Sequence, residues 1–168
     1  TGQTVAGNVK LPAGCVLQTL QTIKTDTFDS SSTSAVDITG LSVTITPKYA
    51  TSKVLIMFDV SFIGFDAGGG IRLLRGSTAL ALGDADGSRA RMSAIGQYSN
   101  NTSPSAYSAA PTSMSFLDSP ATTSATTYKL QAQCLSTNGI IVNKTRYDTD
   151  NGNSSRGSST ITVMEIAQ

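Results

Sequence analysis

The sequence contains no histidine and no tryptophan, and Glu165 is its only glutamate. Histidine is the commonest general base and neutral metal ligand, so its absence excludes Ser-His and Cys-His nucleophile pairs. The ten aspartates could in principle supply the two cooperating carboxyl groups of a glycosidase. Half of them, however, stand in turn-like settings where aspartate is expected in any case: Asp26, Asp29, Asp37, Asp66 and Asp118. We therefore expect a protein that is not an enzyme.

Charge is sparse as well. Charged residues make up 14% of the chain and its net charge is +1. Because there is no basic run or stripe, the chain offers no long-range field to nucleic acid, anionic membranes or acidic substrates. No apolar stretch reaches the roughly 18 residues of a membrane span, and residues 1–14 lack the charged-then-apolar order of a secretory signal. We expect neither a nucleic-acid nor a membrane partner.

Cysteine occurs twice, as Cys15 and Cys134. One distant pair is not a disulfide framework, so we expect free thiols, although a single bridge remains possible. Cys134 then fills the core at the end of a strand, and Cys15 lies in an entry turn after Pro12 and Gly14.

Serine and threonine are abundant, with 23 copies of each among 168 residues, and 39% of the residues are hydrophobic. This composition is typical of one globular β domain, long enough to bury a core without metals or disulfides. Apolar residues alternate with polar ones along residues 53–63 and again along residues 128–134, which predicts two half-buried strands. In the first, one face collects Val54, Ile56, Phe58, Val60 and Phe62.

Gly40 marks a change in the phase of the alternation. Val36 and Ile38 are even-numbered apolar residues, whereas Leu41, Val43 and Ile45 are odd-numbered. A one-residue slip moves the following side chains to the other face. Gly40 is therefore predicted to be a β-bulge or a tight bend where a strand changes sheets.

Further strands are predicted at residues 16–25, 71–74, 78–82, 114–117, 140–143 and 159–166. Turns are predicted at residues 66–70, 75–77, 118–120, 137–139 and 150–153, and residues 97–111 read as a long polar loop. No segment resembles a long helix, and residues 121–127 are too rich in threonine and serine to form one. These eight or nine antiparallel strands predict a jelly roll or β-sandwich over residues 15–168, preceded by a short extended arm over residues 1–14.

Two loops are candidates for Ca²⁺ binding, because alternating aspartates on a glycine-containing loop can wrap this ion. One holds Asp84 and Asp86, and the other holds Asp148 and Asp150. Neither matches an EF-hand, and a polar turn is the favoured explanation of both. We expect no other cofactor.

Four arginines are candidates for a subunit interface: Arg72, Arg75, Arg89 and Arg91. Arg89 or Arg91 could pair with Asp84 or Asp86 of a neighbouring subunit. The alternative is a solvated face, which Arg146 could share.

Ten segments together resemble a group of tailed-bacteriophage virion proteins in the same order along the chain. They are LPAGCVLQ (11–18), TIKTDTF (22–28), VDITGLSV (36–43), ITPK (45–48), SKVLI (52–56), RLLRGS (72–77), GDADGSR (83–89), LDSPATTS (117–124), TYKLQ (127–131) and STITVMEI (159–166). The resemblance covers about residues 11–168 and is specific as an ensemble. It implies a trimeric jelly-roll module of fibre knobs and capsid decorations, which binds through exposed loops and catalyses nothing.

Two functions compatible with that resemblance belong to different classes. A trimer could decorate or cement the capsid surface, with the major capsid protein or another virion protein as its partner and residues 1–14 as an attachment segment. Alternatively, the chain could be the receptor-binding knob of a fibre, with a host-surface glycan or protein bound by the loops at residues 97–111 and 148–153. No repetitive fibre shaft precedes Thr1, so decoration is the leading expectation, and the location is the virion surface in both cases. A depolymerase would need two carboxyl groups facing a cleft.

Overall fold

The computed structural model describes residues 11–65, 68–96, 98–99, 109–137 and 139–168. Within these residues the chain contains no helix and forms two sheets, which pack face to face as a β-sandwich. The strands are β1 (Val16–Lys24), β2 (Phe28–Ser30), β3 (Val36–Ile45), β4 (Lys53–Phe65), β5 (Gly69–Arg75), β6 (Thr78–Leu80), β7 (Ala94–Ile95), β8 (Tyr98–Ser99), β9 (Ala110–Asp118), β10 (Thr126–Cys134), β11 (Ile140–Val142) and β12 (Ser159–Ile166). The predicted all-β class is confirmed.

The order of the long strands is that of a jelly roll. Sheet A places β12 between β1 and β4, with β9 on the other edge of β4, and sheet B runs β3, β10, β5, β6. Thus β1 pairs with β12, β3 with β10, β4 with β9 and β5 with β6, all antiparallel. Among these eight strands the first pairs with the last, the second with the second to last, and so on inwards. This nested order arises when one long antiparallel hairpin is rolled into two layers.

Strand β4 organises sheet A because it is long enough to pair with two strands along each edge. On one edge β12 pairs with residues 53–59 and β11 with residues 62–64. On the other edge β9 pairs with residues 54–62, and the parallel strand β8 pairs with Gly64 and Phe65. Strand β2 adds to the outer edge of β11.

The core lies between the sheets and is built by the predicted alternation. Val54, Ile56, Phe58, Val60 and Phe62 of β4 are all at most 3% exposed. From sheet B, the even-numbered residues of β10 from Tyr128 to Cys134 are equally buried. Both strands predicted from strict alternation are therefore confirmed, as are the six other predicted strand segments.

Gly40 forms a β-bulge. It has φ of +85°, and the pairing of β3 with β10 shifts there, so that Ile38 and Leu41 both point into the core. The strand stays in sheet B on both sides of the glycine, so the alternative of a bend between sheets was wrong. The extra residues of the bulge compensate for the shift in the apolar–polar alternation, so the apolar side chains after Gly40 still point into the core.

Some sequence expectations need correction. Strands β2, β7 and β8 were not predicted, and β8 and the start of β9 lie inside the supposed polar loop at residues 97–111, of which residues 97 and 100–108 lie outside the described chain. Three aspartates assigned to turns stand in strands: Asp29, Asp37 and Asp118. In each case strand pairing satisfies the backbone where a turn was expected. Asp66 and residues 1–10 of the predicted arm lie outside the described residues.

The sandwich has two unlike ends. At one end the chain enters and leaves side by side, since the Gly14 amide donates to the Ala167 carbonyl at 2.9 Å and Ala167 donates to Cys15. The short connections at residues 76–77 and 119–125 lie at this same end. The segment joining β11 to β12, residues 143–158, lies at the opposite end, because it leads into the start of β12.

Candidate functional site

Asp118, Arg75 and Tyr128 join the two sheets at the end of the sandwich that holds the chain entry. The nearly buried Asp118 carboxylate of sheet A accepts hydrogen bonds from Arg75 Nη1 at 2.9 and 2.8 Å and from the Tyr128 hydroxyl at 2.6 Å. Burial, followed by the hydrogen bond to Asp118, raises the pKa of Tyr128 well above its usual range. The phenol therefore remains a donor, and the cluster ties sheet A to sheet B.

Glu165 is fully buried, and it forms no ion pair with any described residue. Its carboxylate accepts hydrogen bonds from Gln18 Nε2 at 2.6 Å and from the backbone N–H groups of Lys48 and Tyr49 at 2.7 and 3.3 Å. Burial alone raises the pKa of this carboxyl, but the hydrogen bonds outweigh burial and hold the pKa below its ordinary value. The ionised group thus fixes the β3–β4 connection against β1 and β12.

Asn143 joins several elements at the opposite end of sheet A. It is fully buried at φ +64°, a left-handed conformation that asparagine tolerates better than most residues. Its side-chain amide donates to the carbonyls of Lys24 and Asp26, both at 2.9 Å, and its backbone N–H donates to Ser61 at 3.0 Å. Its Oδ1 accepts from the Ser159 hydroxyl. All of its polar groups that face the core are therefore paired within the chain.

Lys24 is the third buried charged residue. Its side chain is 1% exposed, and Nζ lies 2.8 Å from the Oδ2 of Asp26. The same side chain lies beside Gly40, where a Cβ would come within 3.7 Å of Nζ. The hydrogen bond to Lys24 is the main reason why the pKa of the exposed Asp26 lies below its usual value. The lysine therefore closes the sandwich beneath the β3 bulge.

The four arginines predicted to lie at a subunit interface occupy different surroundings. Arg75 binds Asp118, as described above, and Arg89 Nη1 binds Asp86 three residues away in the same chain. Arg91 Nε donates to the Gly83 carbonyl at 2.6 Å. Arg72 extends from the outer face of β5, and its buried Nε has no hydrogen-bond partner among the described residues. The contacts of Arg89 and Arg91 lie within one chain, and their pairing across an interface stays a prediction.

The first candidate calcium loop, residues 83–89, exposes Asp84 and Asp86 to solvent. Because Asp86 already pairs with Arg89, a metal ion there would compete with a guanidinium. No group of three aspartate, glutamate or cysteine side chains that could hold a metal exists among the described residues. Calcium at this loop stays a prediction.

The second candidate loop, residues 143–158, is folded by its own hydrogen bonds. Lys144 and Arg156 form an isolated antiparallel bridge, and the Thr145 N–H donates to the Ser155 carbonyl at 3.2 Å. Arg156 binds both oxygens of Asp148, at 2.9 and 2.8 Å. Two cations therefore approach Asp148, since Lys144 Nζ lies 3.8 Å away.

A cavity of about 280 Å³ opens on this loop. Every residue that lines it carries a carboxylate, amide, hydroxyl or guanidinium: Asp148, Thr149, Asp150, Asn151, Ser154, Ser155 and Arg156. The structure thus brings Asp148 and Asp150 to one hollow, as the spacing suggested, but pairs Asp148 with arginine. A second hollow of about 310 Å³, lined by Lys144 and Gly157 among others, shares Ser155 and Arg156 with the first.

Cys15 and Cys134 are free thiols, and Cys134 is buried as the last residue of β10, which confirms both expectations.

The hydrogen-bond networks of Asn143 and Glu165 were not predicted from the sequence. The single glutamate inside an apolar strand was the one available signal for Glu165, since a lone carboxyl group between core positions must find hydrogen-bond donors.

The described residues contain no helix long and apolar enough to cross a membrane. Neither a protein-family model nor a curated protein sequence matches this chain.

Proposed function

We propose that this chain is a non-enzymatic structural protein of a phage virion, which acts as a homotrimer that decorates or cements the capsid surface. Its resemblance to tailed-phage virion proteins over residues 11–168 supports this assignment. The jelly roll supports it as well, because this fold is common in viral capsid proteins. Fold alone does not determine function, so the argument depends on what the polar residues do.

The observation that carries the proposal is that the buried charged side chains bind other parts of the same chain. Catalytic groups are commonly charged residues whose surroundings shift their pKa and which face a cleft. Here Lys24, Asp118 and Glu165 each bind groups of neighbouring strands or connections. None of the three lines the hollow at residues 148–156 or any of three other hollows in the described part of the chain. Charges placed this way stiffen a scaffold, which is what a decoration protein needs.

Imaging of intact virions by electron cryomicroscopy tests the proposal. We expect threefold-symmetric density of this size on the capsid lattice, at a fixed number of copies per lattice position. Density confined to fibre tips would replace decoration with the receptor-binding alternative. Absence of the protein from purified virions, checked by mass spectrometry, would contradict both.

One observation favours the alternative, in which the chain is a receptor-binding knob. The polar hollow on residues 143–158 lies at the end of the sandwich opposite to chain entry and exit. A protein anchored through its first residues presents that hollow outward. Asp150 and Asn151 offer acceptors and donors that sugar hydroxyls need, on a loop already ordered by its own hydrogen bonds. The ligand class in this alternative is a host-surface glycan.

A further inference from the structure

The outer faces of the two sheets differ in chemistry. The outer face of sheet B is polar where β3 pairs with β10: Asp37 accepts hydrogen bonds from Lys129 at 2.7 Å and from Gln131 at 2.8 Å. The Thr44 and Thr127 hydroxyls are hydrogen-bonded to each other. This is the composition expected of a sheet face in contact with water.

The outer face of sheet A carries a cluster of apolar residues beside uncharged polar ones. Its cross-strand register forms rows that run through β1, β12, β4 and β9. One row is Thr19, Met164, Leu55 and Leu117, the next is Gln21, Thr162, Met57 and Ser115, and the outermost pair on one side is Val16 and Ile166. Val16 and Leu117 are 51% and 46% exposed. On a sheet face in contact with water, polar residues are expected at such positions.

Only two charged side chains stand on this face of the four strands, Lys53 and Asp59 of β4. Neither forms an ion pair within the described chain. They stand on the same strand, with Leu55 and Met57 between them. A contiguous apolar patch of this kind on a small domain marks an interaction surface.

We propose that the outer face of sheet A, defined by Val16, Leu55, Met57, Leu117, Met164 and Ile166 with Lys53 and Asp59, is the surface through which copies of this chain associate. The inference rests on the homotrimer in the proposed function for its stoichiometry, but the face is assigned from its own chemistry. A second copy fits because the face carries one cation and one anion. Lys53 of one copy can therefore pair with Asp59 of the next while apolar rows meet between them.

The size of the face agrees with this occupant. Four strands about 4.8 Å apart make it about 19 Å wide, and the nine residues of β9 at about 3.4 Å each make it about 30 Å long. The flat area is about 570 Å², and side-chain relief brings the accessible area towards the roughly 800 Å² that each partner buries in a stable interface.

Analytical ultracentrifugation of the full chain and its variants tests the proposal. We expect the wild type to sediment as an oligomer and Ser115→Lys, in the second row of the face, to dissociate. The concentration of half-dissociation should rise by about a hundredfold, because the interface would bury an unpaired charge. Ser42→Lys is the matched control, since Ser42 is also an exposed serine on a strand at a sheet edge, but on sheet B. It should leave association unchanged.

A charge exchange tests the pairing itself. Lys53→Asp and Asp59→Lys should each weaken association by about tenfold or more. The double variant carrying both substitutions should recover association towards the wild type, because each charge again meets its opposite. Circular dichroism and thermal unfolding establish that every variant is folded.

The results of these experiments distinguish a wrong assignment of the face from a wrong proposal of the homotrimer. If Ser42→Lys dissociates the oligomer and Ser115→Lys does not, the assignment to sheet A is wrong while the homotrimer stands. A wild type that is monomeric at micromolar concentration contradicts both the face and the trimer. Failure of the charge exchange to restore association overturns the Lys53–Asp59 pairing.

Discussion

At the scale of single residues, the chain uses its few charges to close its own structure. Glu165 holds a connection, Asp118 holds two sheets together and Lys24 fills the space beneath a bulge. Each is buried and each is paired, so removing one partner leaves the other unsatisfied in the core, which costs more than the bond itself contributes. These residues are thus the positions where conservative substitution has the largest effect.

Glu165→Gln should destabilise the protein in a pH-dependent way. The pKa of Glu165 is lowered in the folded state, so its contribution is fully present above the ordinary glutamate value of about 4.3 and is lost as pH falls through the lower folded value. At pH 7 we expect the free energy of unfolding to fall by about 1–3 kcal/mol, because the donors of Lys48 and Tyr49 lose an ionised acceptor. Urea unfolding at pH 7 and at successive lower pH values measures it.

The difference between wild type and Glu165→Gln should shrink as the pH drops below about 4. Asp84→Asn serves as the control, because Asp84 is exposed and should change stability little at any pH. A Glu165→Gln difference that is constant from pH 7 to pH 3 would mean that the hydrogen bonds do not depend on ionisation.

At the scale of elements, the sequence was most informative where burial on one face imposes a period of two. Strand β4 follows that period from Lys53 to Phe62 and β10 follows it over its whole length, and both were predicted on this basis. Strands β2, β7 and β8 have two or three residues, which is too short to show a period, and their existence depends on partners distant in sequence. The hollow on residues 143–158 was suggested by its aspartates, but the pairing of Asp148 with Arg156 required the fold.

The bulge in β3 predicts a strong effect of a small substitution. Gly40→Ala should lower the free energy of unfolding by about 1–3 kcal/mol, because alanine is strained at φ +85° although the added methyl group meets only ordinary contacts with Lys24. Gly83→Ala is the matched control: Gly83 does not have positive φ, and its Cβ would lie 3.8 Å from the Met92 carbonyl. Thermal and urea unfolding of the two variants give the comparison. Equal effects would show that backbone conformation at the bulge contributes nothing.

At the scale of the whole molecule, the strand order makes the sandwich dependent on its last strand. Strand β12 lies between β1 and β4 and carries the core residues Ile161 and Val163. Such pairing of distant segments makes folding slow and cooperative, since β12 joins β1 to the rest of sheet A. The jelly-roll order could not be read from the sequence, because local periodicity identifies strands but not their neighbours.

A chain that ends after Ser158 should therefore fail to fold rather than lose one edge of the sheet. We expect its circular dichroism to show a disordered chain and its thermal unfolding to show no cooperative transition, because β1 and β4 lose their common partner and the core is opened. A chain shortened only by Gln168, which is exposed, should unfold like the wild type. A cooperative transition in the longer truncation would show that sheet A closes without β12.

The side-by-side chain ends also determine how the protein responds to force. Because Gly14 and Ala167 are hydrogen-bonded neighbours, tension applied between the two ends pulls β1 away from β12 at right angles to the strands. The hydrogen bonds of the ladder run in that same direction and are then loaded one pair at a time, so the strands part like a zipper at low force. In the proposed capsid role, this protein would withstand load better across a sheet face than between Gly14 and Ala167.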